Sequence, residues 1–303
     1  MLEFAERLTL TPTAITRDDV DALRGQGFED GAIFAVTLAA AYRNYIVRVA
    51  DTLGVELRKD GGYAPEILRA FGVTADDVGT TIYADRLTSP PGATPPSWPP
   101  VSRATRAGGA SVWIDTTPTD GERFARAQAE LERLTAPHPL TNLARVFARR
   151  SEVLASTIEF GRLLGMGGSG LGGRTEAIIG LVVAGIQGIS YLAVHHAQRL
   201  LDHGASVDEV TALAAGAAPE LSSDRERAIM GFCARAARAP STMSRADVQA
   251  LRAVGLDDRA VLTVAAAAAF ESFLGGVAAG LGVELEDDAV TVEAQVACAR
   301  GTA

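Results

Sequence analysis

FAERLTLTPTAITRDDVDALRGQGFEDGAIFAVTLAAAYRNYIVRVADTLGVEL, residues 4 to 57, aligns without a gap on FCARAARAPSTMSRADVQALRAVGLDDRAVLTVAAAAAFESFLGGVAAGLGVEL, residues 232 to 285. The offset is 228 throughout, and Pro12/Pro240, Arg17/Arg245, Asp19/Asp247, Leu23/Leu251, Arg24/Arg252, Gly27/Gly255, Asp30/Asp258 and the closing LGVEL coincide. A match of this length marks a duplicated unit, too widely spaced for a solenoid array. In each copy Thr16 or Ser244 precedes an aspartate three residues on, the start signal of a short helix that ends near Gly27 or Gly255. A long alanine-rich helix follows. Its second version, Arg259 to Gly280, is apolar on nearly every side, as expected for a helix packed all round.

Outward from the repeat, the pattern stays helical. An Arg/Glu-rich segment runs from about Asp120 to Leu134, a second from Leu140 to Leu164, and an apolar one from Thr175 to Gln187; His195 and His196 fall on the next helix, and Ser206 with Glu209 begins another. Strand signals are scarce. Pro90, Pro91, Pro95, Pro96, Pro99 and Pro100, among Ser, Thr and Gly, make residues 87–114 read as a linker. The division is therefore an N-terminal helical half-module over 1–86, the proline-rich linker over 87–114, and a helical module over 115–303.

Composition removes several functions. The 303 residues carry 28 Lys plus Arg against 37 Asp plus Glu, a net charge of −9 that repels phosphate backbones, so no nucleic-acid partner is expected. Lys59 is the one lysine, which nearly empties the classes that need a Schiff-base or phosphate-loop lysine. Cys233 and Cys298 form no CxxC, and Glu3, Glu6 and Arg7 interrupt any secretory signal, so a cytoplasmic location is expected. The apolar run Ala177 to Val194 is broken by Gln187, Ser190 and glycines, and reads as a buried helix, not a membrane span. Gly165, Gly167 and Gly170 spell a dinucleotide fingerprint and GSGLGGRT, 168–175, imitates a phosphate loop, but a helical run precedes both where a strand is required. His195 and His196 point about 100° apart on a helix, so they do not share a metal ion, and no metal is expected.

What remains is Glu176 followed by Gly188, Tyr191 and His195. Tyr191 and His195, four apart, share a helix face, and a carboxylate returned to that face would complete a proton-transfer set.

The runs NLARVFARRSEVLASTIEFGRLL and GRTEAIIGLVVAGIQGISYLAVHHAQRLL, with the repeat ending in LGVEL, resemble the alkylhydroperoxidase D-like branch of the carboxymuconolactone decarboxylase superfamily, in its longer, peroxidase-related form. The resemblance covers about residues 115 to 285, with residues 4 to 57 as an extra C-terminal half-copy in front. It implies an all-α, AhpD-like helical bundle with an internally duplicated C-terminal helical unit. In redox members a Glu precedes a CxxC and a His; here Glu176 and His195 match, while Gly188 and Tyr191 stand at the cysteine positions. Peroxide reduction needs thiols that neither can supply.

The superfamily also includes cofactor-independent acid–base enzymes. The resemblance thus implies a decarboxylase, isomerase or cyclase acting on a small or medium carbonyl metabolite with no cofactor. In it Tyr191 donates to an enolate, His195 moves a proton and Glu176 orients His195 or acts as base. The alternative is a catalytically degenerate binding or assembly protein. A family pattern on the long helix survives in the first copy as Tyr42, Asn44 and Arg48, against Phe270, Ser272 and Gly276 in the second. Asn44 and Arg48, with His196, are the candidate substrate-binding groups; the alternative for Arg48 is an internal salt bridge. A homo-oligomer, at least a dimer, is implied by the resemblance.

Overall fold

The computed structural model describes residues 1–55, 112–135, 141–217 and 223–286, and among them it is all helix. The first copy of the repeat consists of α1 (Leu2–Leu10), a 3-10 turn (Pro12–Ala14), α2 (Arg17–Gly25) and α3 (Asp30–Leu53). The middle holds α4 (Gly121–Thr135), α5 (Asn142–Ala148), α6 (Ser151–Leu164), α7 (Gly173–Gln187), α8 (Ser190–Asp202) and α9 (Val207–Ala214). The second copy is the end of α10 (Asp224–Arg238), a 3-10 turn (Pro240–Thr242), α11 (Arg245–Ala253) and α12 (Asp258–Gly280).

The duplication extends to individual bonds. Asp19 closes a capping box on Thr16, and Asp247 closes the same box on Ser244. Each aspartate also pairs with the arginine one helix earlier, Arg7 with Asp19 and Arg235 with Asp247. Arg24 meets Asp30 at 2.8 Å and Arg252 meets Asp258 at 2.6 Å, each holding a short helix to the start of the long one. Gly27 and Gly255, with φ of 88° and 86°, make the turn between them, a left-handed conformation that glycine adopts without strain.

α3 lies along α12, and α12 also packs on α7 and α10. α12 is long and apolar enough to cross a membrane, yet 78% of its apolar window is buried inside the protein, as in a core helix. The run from Ala177 to Val194 is not one helix: Gly188, at φ 68°, ends α7 and lets α8 turn back against it. One hydrophobic core joins Phe4 and Leu8 of α1, Ile33 and Phe34 of α3, the apolar residues of α7 and α8, and Val264 to Leu281 of the second copy. Of the proline-rich stretch, residues 87–111 lie outside the described residues, as do 56–86 of the half-module. Val112 and Ile114 are buried, and the backbone between them bridges both copies, with Trp113 N–H donating to Leu281 C=O at 3.0 Å and its own C=O accepting from Arg24.

The helix expected from Leu140 to Leu164 is two. Arg150 is extended (φ −117°, ψ 100°) and separates α5 from α6, while Ser151 bonds the carbonyl of Asp120. The other end of α5, its start, faces α8, where the Leu143 N–H donates to Tyr191.

Candidate functional site

Tyr191, His195 and Arg199 follow one another at four-residue intervals on α8 and so share a face. The chain leaving α12 crosses that face. Asn142 Nδ2 donates to the carbonyl of Glu284 at 3.0 Å, which fixes residues 284–286 against the start of α5. Glu286 thereby reaches α8: Tyr191 Oη donates to its Oε1 at 2.8 Å, His195 Nε2 lies 2.9 Å from its Oε2, and the Asn142 N–H donates to Oε1. The Leu143 N–H donates to Tyr191 Oη at 3.1 Å. First-turn N–H groups have no acceptor within their own helix, so α5 donates outward to both groups.

Burial alone would raise the Glu286 carboxyl, but hydrogen bonds from His195 and Asn142, with the His195 charge, outweigh it and hold the group below its ordinary value. Tyr191 is pushed well above a free phenol, first by burial and then by the Glu286 charge. The cluster is therefore an ionised carboxylate receiving a phenol proton. When His195 is in its neutral, base form, the hydrogen bond to the carboxylate places its one proton on Nε2 and leaves Nδ1 as the bare nitrogen. Nδ1 has no hydrogen-bond partner among the described residues. The His195 side chain is 19% exposed against 8% for Glu286, so the imidazole is the member that solvent or substrate reaches.

The candidate residues do not all meet here. Glu176, in the first turn of α7, is fully buried and accepts from Gly167 N–H at 2.8 Å and Ser169 Oγ at 2.5 Å, with Arg199 Nη2 at 3.4 Å. Its carboxylate is occupied in holding the glycine-rich turn between α6 and α7, and the acid hydrogen-bonded to His195 is Glu286 instead. That turn follows a helix, with no strand before it. His196 points into the core, Nε2 2.8 Å from Glu271 Oε2, and both residues are buried. Arg48 donates through Nη1 to the carbonyls of Ala236 and Ala237 at 3.1 and 3.0 Å; burial lowers its pKa and Asp51 works against that. Asn44, one turn before it, is half-buried with no hydrogen-bond partner among the described residues. No cluster of three metal-ligating side chains occurs among the described residues.

Sequence reasoning missed Glu286 and Glu271. Glu286 immediately follows LGVEL, where the first copy has Arg58, and Glu271 is a lone charge within an otherwise apolar stretch of helix. A buried charge demands a partner, and that demand was the available signal for Glu271.

No protein-family profile and no curated protein matches the chain. Among solved structures, the chain is similar to an uncharacterized peroxidase-related protein from Silicibacter sp. TM1040, at 20% identity and a TM-score of 0.52, over 61% of this chain and 97% of that one. The fold is an AhpD-like helical bundle. Gly188 occupies a left-handed position that would strain a residue with a side chain, and the Tyr191 phenol is already bonded at both donor and acceptor. Cys233 is fully buried on α10, its thiol pushed far up by burial, and Cys298 lies outside the described residues.

Proposed function

We propose that this chain is a cofactor-independent acid–base enzyme acting on a small or medium carbonyl metabolite, and not a thiol peroxidase. The observation that carries the reading is the ionised Glu286 carboxylate bonded to Nε2 of His195, whose imidazole is the exposed member of the set. His195 Nδ1 takes a proton from the carbon beside the substrate carbonyl, and the resulting imidazolium is stabilised across Nε2 by Glu286. In an isomerisation or cyclisation the same nitrogen returns the proton to the same or another carbon; in a decarboxylation the departing carbon dioxide leaves the electron pair on carbon, and a His195 that starts as imidazolium supplies the proton. Tyr191 has a different part from the enolate donor expected of it. Its proton is committed to Glu286 and its oxygen to Leu143, so it is a positioning residue that holds the carboxylate in place. Glu176 acts on the glycine-rich turn and not on the proton transfer.

The test is an extract of small metabolites incubated in deuterated water with wild-type protein, His195→Ala or Glu286→Gln, and read by untargeted mass spectrometry. A metabolite labelled or rearranged by the wild type, lost with His195→Ala and reduced with Glu286→Gln, is the expected result. Identical spectra from folded wild type and His195→Ala would refute the enzyme reading. They would leave the binding or assembly role, to which the internally satisfied Tyr191 is equally suited.

A further inference from the structure

The two copies of the repeat pack on each other reciprocally. α3 lies along α12, the turn Pro240–Thr242 of the second copy rests on α3, and the turn Pro12–Ala14 of the first rests on α12. Shifting each residue number by 228 exchanges these contacts, the relation that a two-fold pair of identical units produces. Small residues let the helices approach. A β-carbon at Gly276 would stand 3.4 Å from that of Ala41, and one at Gly280 would meet Leu8 at 2.7 Å and Thr37 at 3.0 Å.

We propose that the face of α12 covered by α3 is a self-association face occupied in cis. The N-terminal half-copy takes the place that a second C-terminal unit would fill, and Arg48 restricts the face to that occupant. Arg48 corresponds to Gly276, so a guanidinium in one copy stands where the other has no side chain. Its guanidinium reaches the carbonyls of Ala236 and Ala237, which belong to the last turn of α10 and have no acceptor duty within the helix. Two C-terminal units facing each other would carry glycine at both positions and leave those carbonyls without a guanidinium. Two N-terminal units would bring two guanidinium groups onto the ends of two α1 helices, over Leu8 and Thr9. The mixed pair supplies one arginine and one glycine, so the free α10 carbonyls gain a guanidinium that a pair of C-terminal units would lack. Any homo-oligomer of this chain must then form through a different surface.

Cysteine pairs in the full-length chain, with Cys298 replaced by serine, test the assignment. Ala41→Cys with Gly276→Cys spans a gap suited to a disulfide. On mild oxidation it is expected to bridge within one chain and run at monomer mass. Ala269→Cys with Gly276→Cys reports α12 against a second α12 and is expected to stay reduced. A double-mass band from either pair would overturn the proposal, the first by a swapped N-terminal unit and the second by pairing of C-terminal units. Should the substituted helices fail to fold, hydrogen exchange of the wild type across serial dilution answers the same question. Constant protection of α3 and α12 is expected, and protection that falls together on dilution would refute occupation in cis.

Discussion

Gly180→Ala tests whether the buried His196–Glu271 pair holds α7, α8 and α12 together. Gly180 lies in α7, and a β-carbon there would stand closer than 3.0 Å to Cε1, Nε2 and Cδ2 of His196, so the whole edge of the ring is in its way. The ring cannot yield without leaving Glu271, whose Oε2 is 2.8 Å from Nε2, and both residues are only 6% exposed. Separating the two leaves a buried imidazole and a buried carboxyl each without its hydrogen-bond partner, at about 1–3 kcal/mol apiece. Replacing a helical glycine by alanine returns about 1 kcal/mol, for a net loss of about 1–5 kcal/mol. At about 2–4 °C per kcal/mol for a chain approaching this size, the melting temperature should fall by roughly 2–20 °C. The control is Gly231→Ala on α10, where nothing lies within 4 Å of the new β-carbon and the same backbone change should stabilise by about 0.5–1 kcal/mol. Urea unfolding followed by far-ultraviolet circular dichroism measures both. Adding His196→Ala to Gly180→Ala removes the obstructing ring, so the double variant should be more stable than the sum of the single losses predicts. The reasoning fails if Gly180→Ala matches Gly231→Ala, or if the two losses simply add.

Glu286→Gln should lower stability at neutral pH and converge on the wild type in acid. A carboxylate held below its unfolded value of 4.5 contributes above that pH and loses its contribution as pH falls through the lower folded value, so a urea-midpoint gap independent of pH would contradict the assignment. Tyr191→Phe strands the Leu143 N–H and loosens Glu286, a loss of about 1–3 kcal/mol in urea unfolding, and equal stability would remove the positioning role. Glu176→Gln should speed hydrogen exchange at Gly167 and Leu171 while leaving deuterium transfer in the extract assay at the wild-type level; transfer lost without faster exchange would return Glu176 to the proton-transfer set. In a Cys298→Ser chain, Cys233 should stay unreactive toward a thiol reagent until urea unfolds the protein, because its thiol is fully buried and held protonated.

The duplicated scaffold was legible because its determinants are local. A capping box, a glycine after a short helix and an arginine six residues before an aspartate each specify geometry within a few residues, and they recur at Thr16/Ser244, Gly27/Gly255 and Arg24/Arg252. The break between α5 and α6 was hidden for the opposite reason. NLARVFARRSEVLASTIEFGRLL carries no proline or glycine near the break, and tertiary bonds such as Ser151 to Asp120 select an extended Arg150. Tyr191 and His195 could be placed on one face by counting, whereas nothing local decides which distant carboxylate meets them.

That choice depends on how the chain leaves α12. Gly282 adopts φ 60°, the indole of Trp113 fills the space where its side chain would be, and Val283 N–H closes back on Ala278 C=O at 2.9 Å. This exit directs Glu284 onto Asn142 and Glu286 onto His195, 91 positions away in sequence. The first copy ends in the same LGVEL after a glycine at φ 65°, but it continues with Arg58. The second copy thus delivers a carboxylate to α8 from a position where the first copy's sequence has an arginine. The acid bonded to His195 is therefore set by the second copy's flank, and the motif around Glu176 carries no local determinant of it.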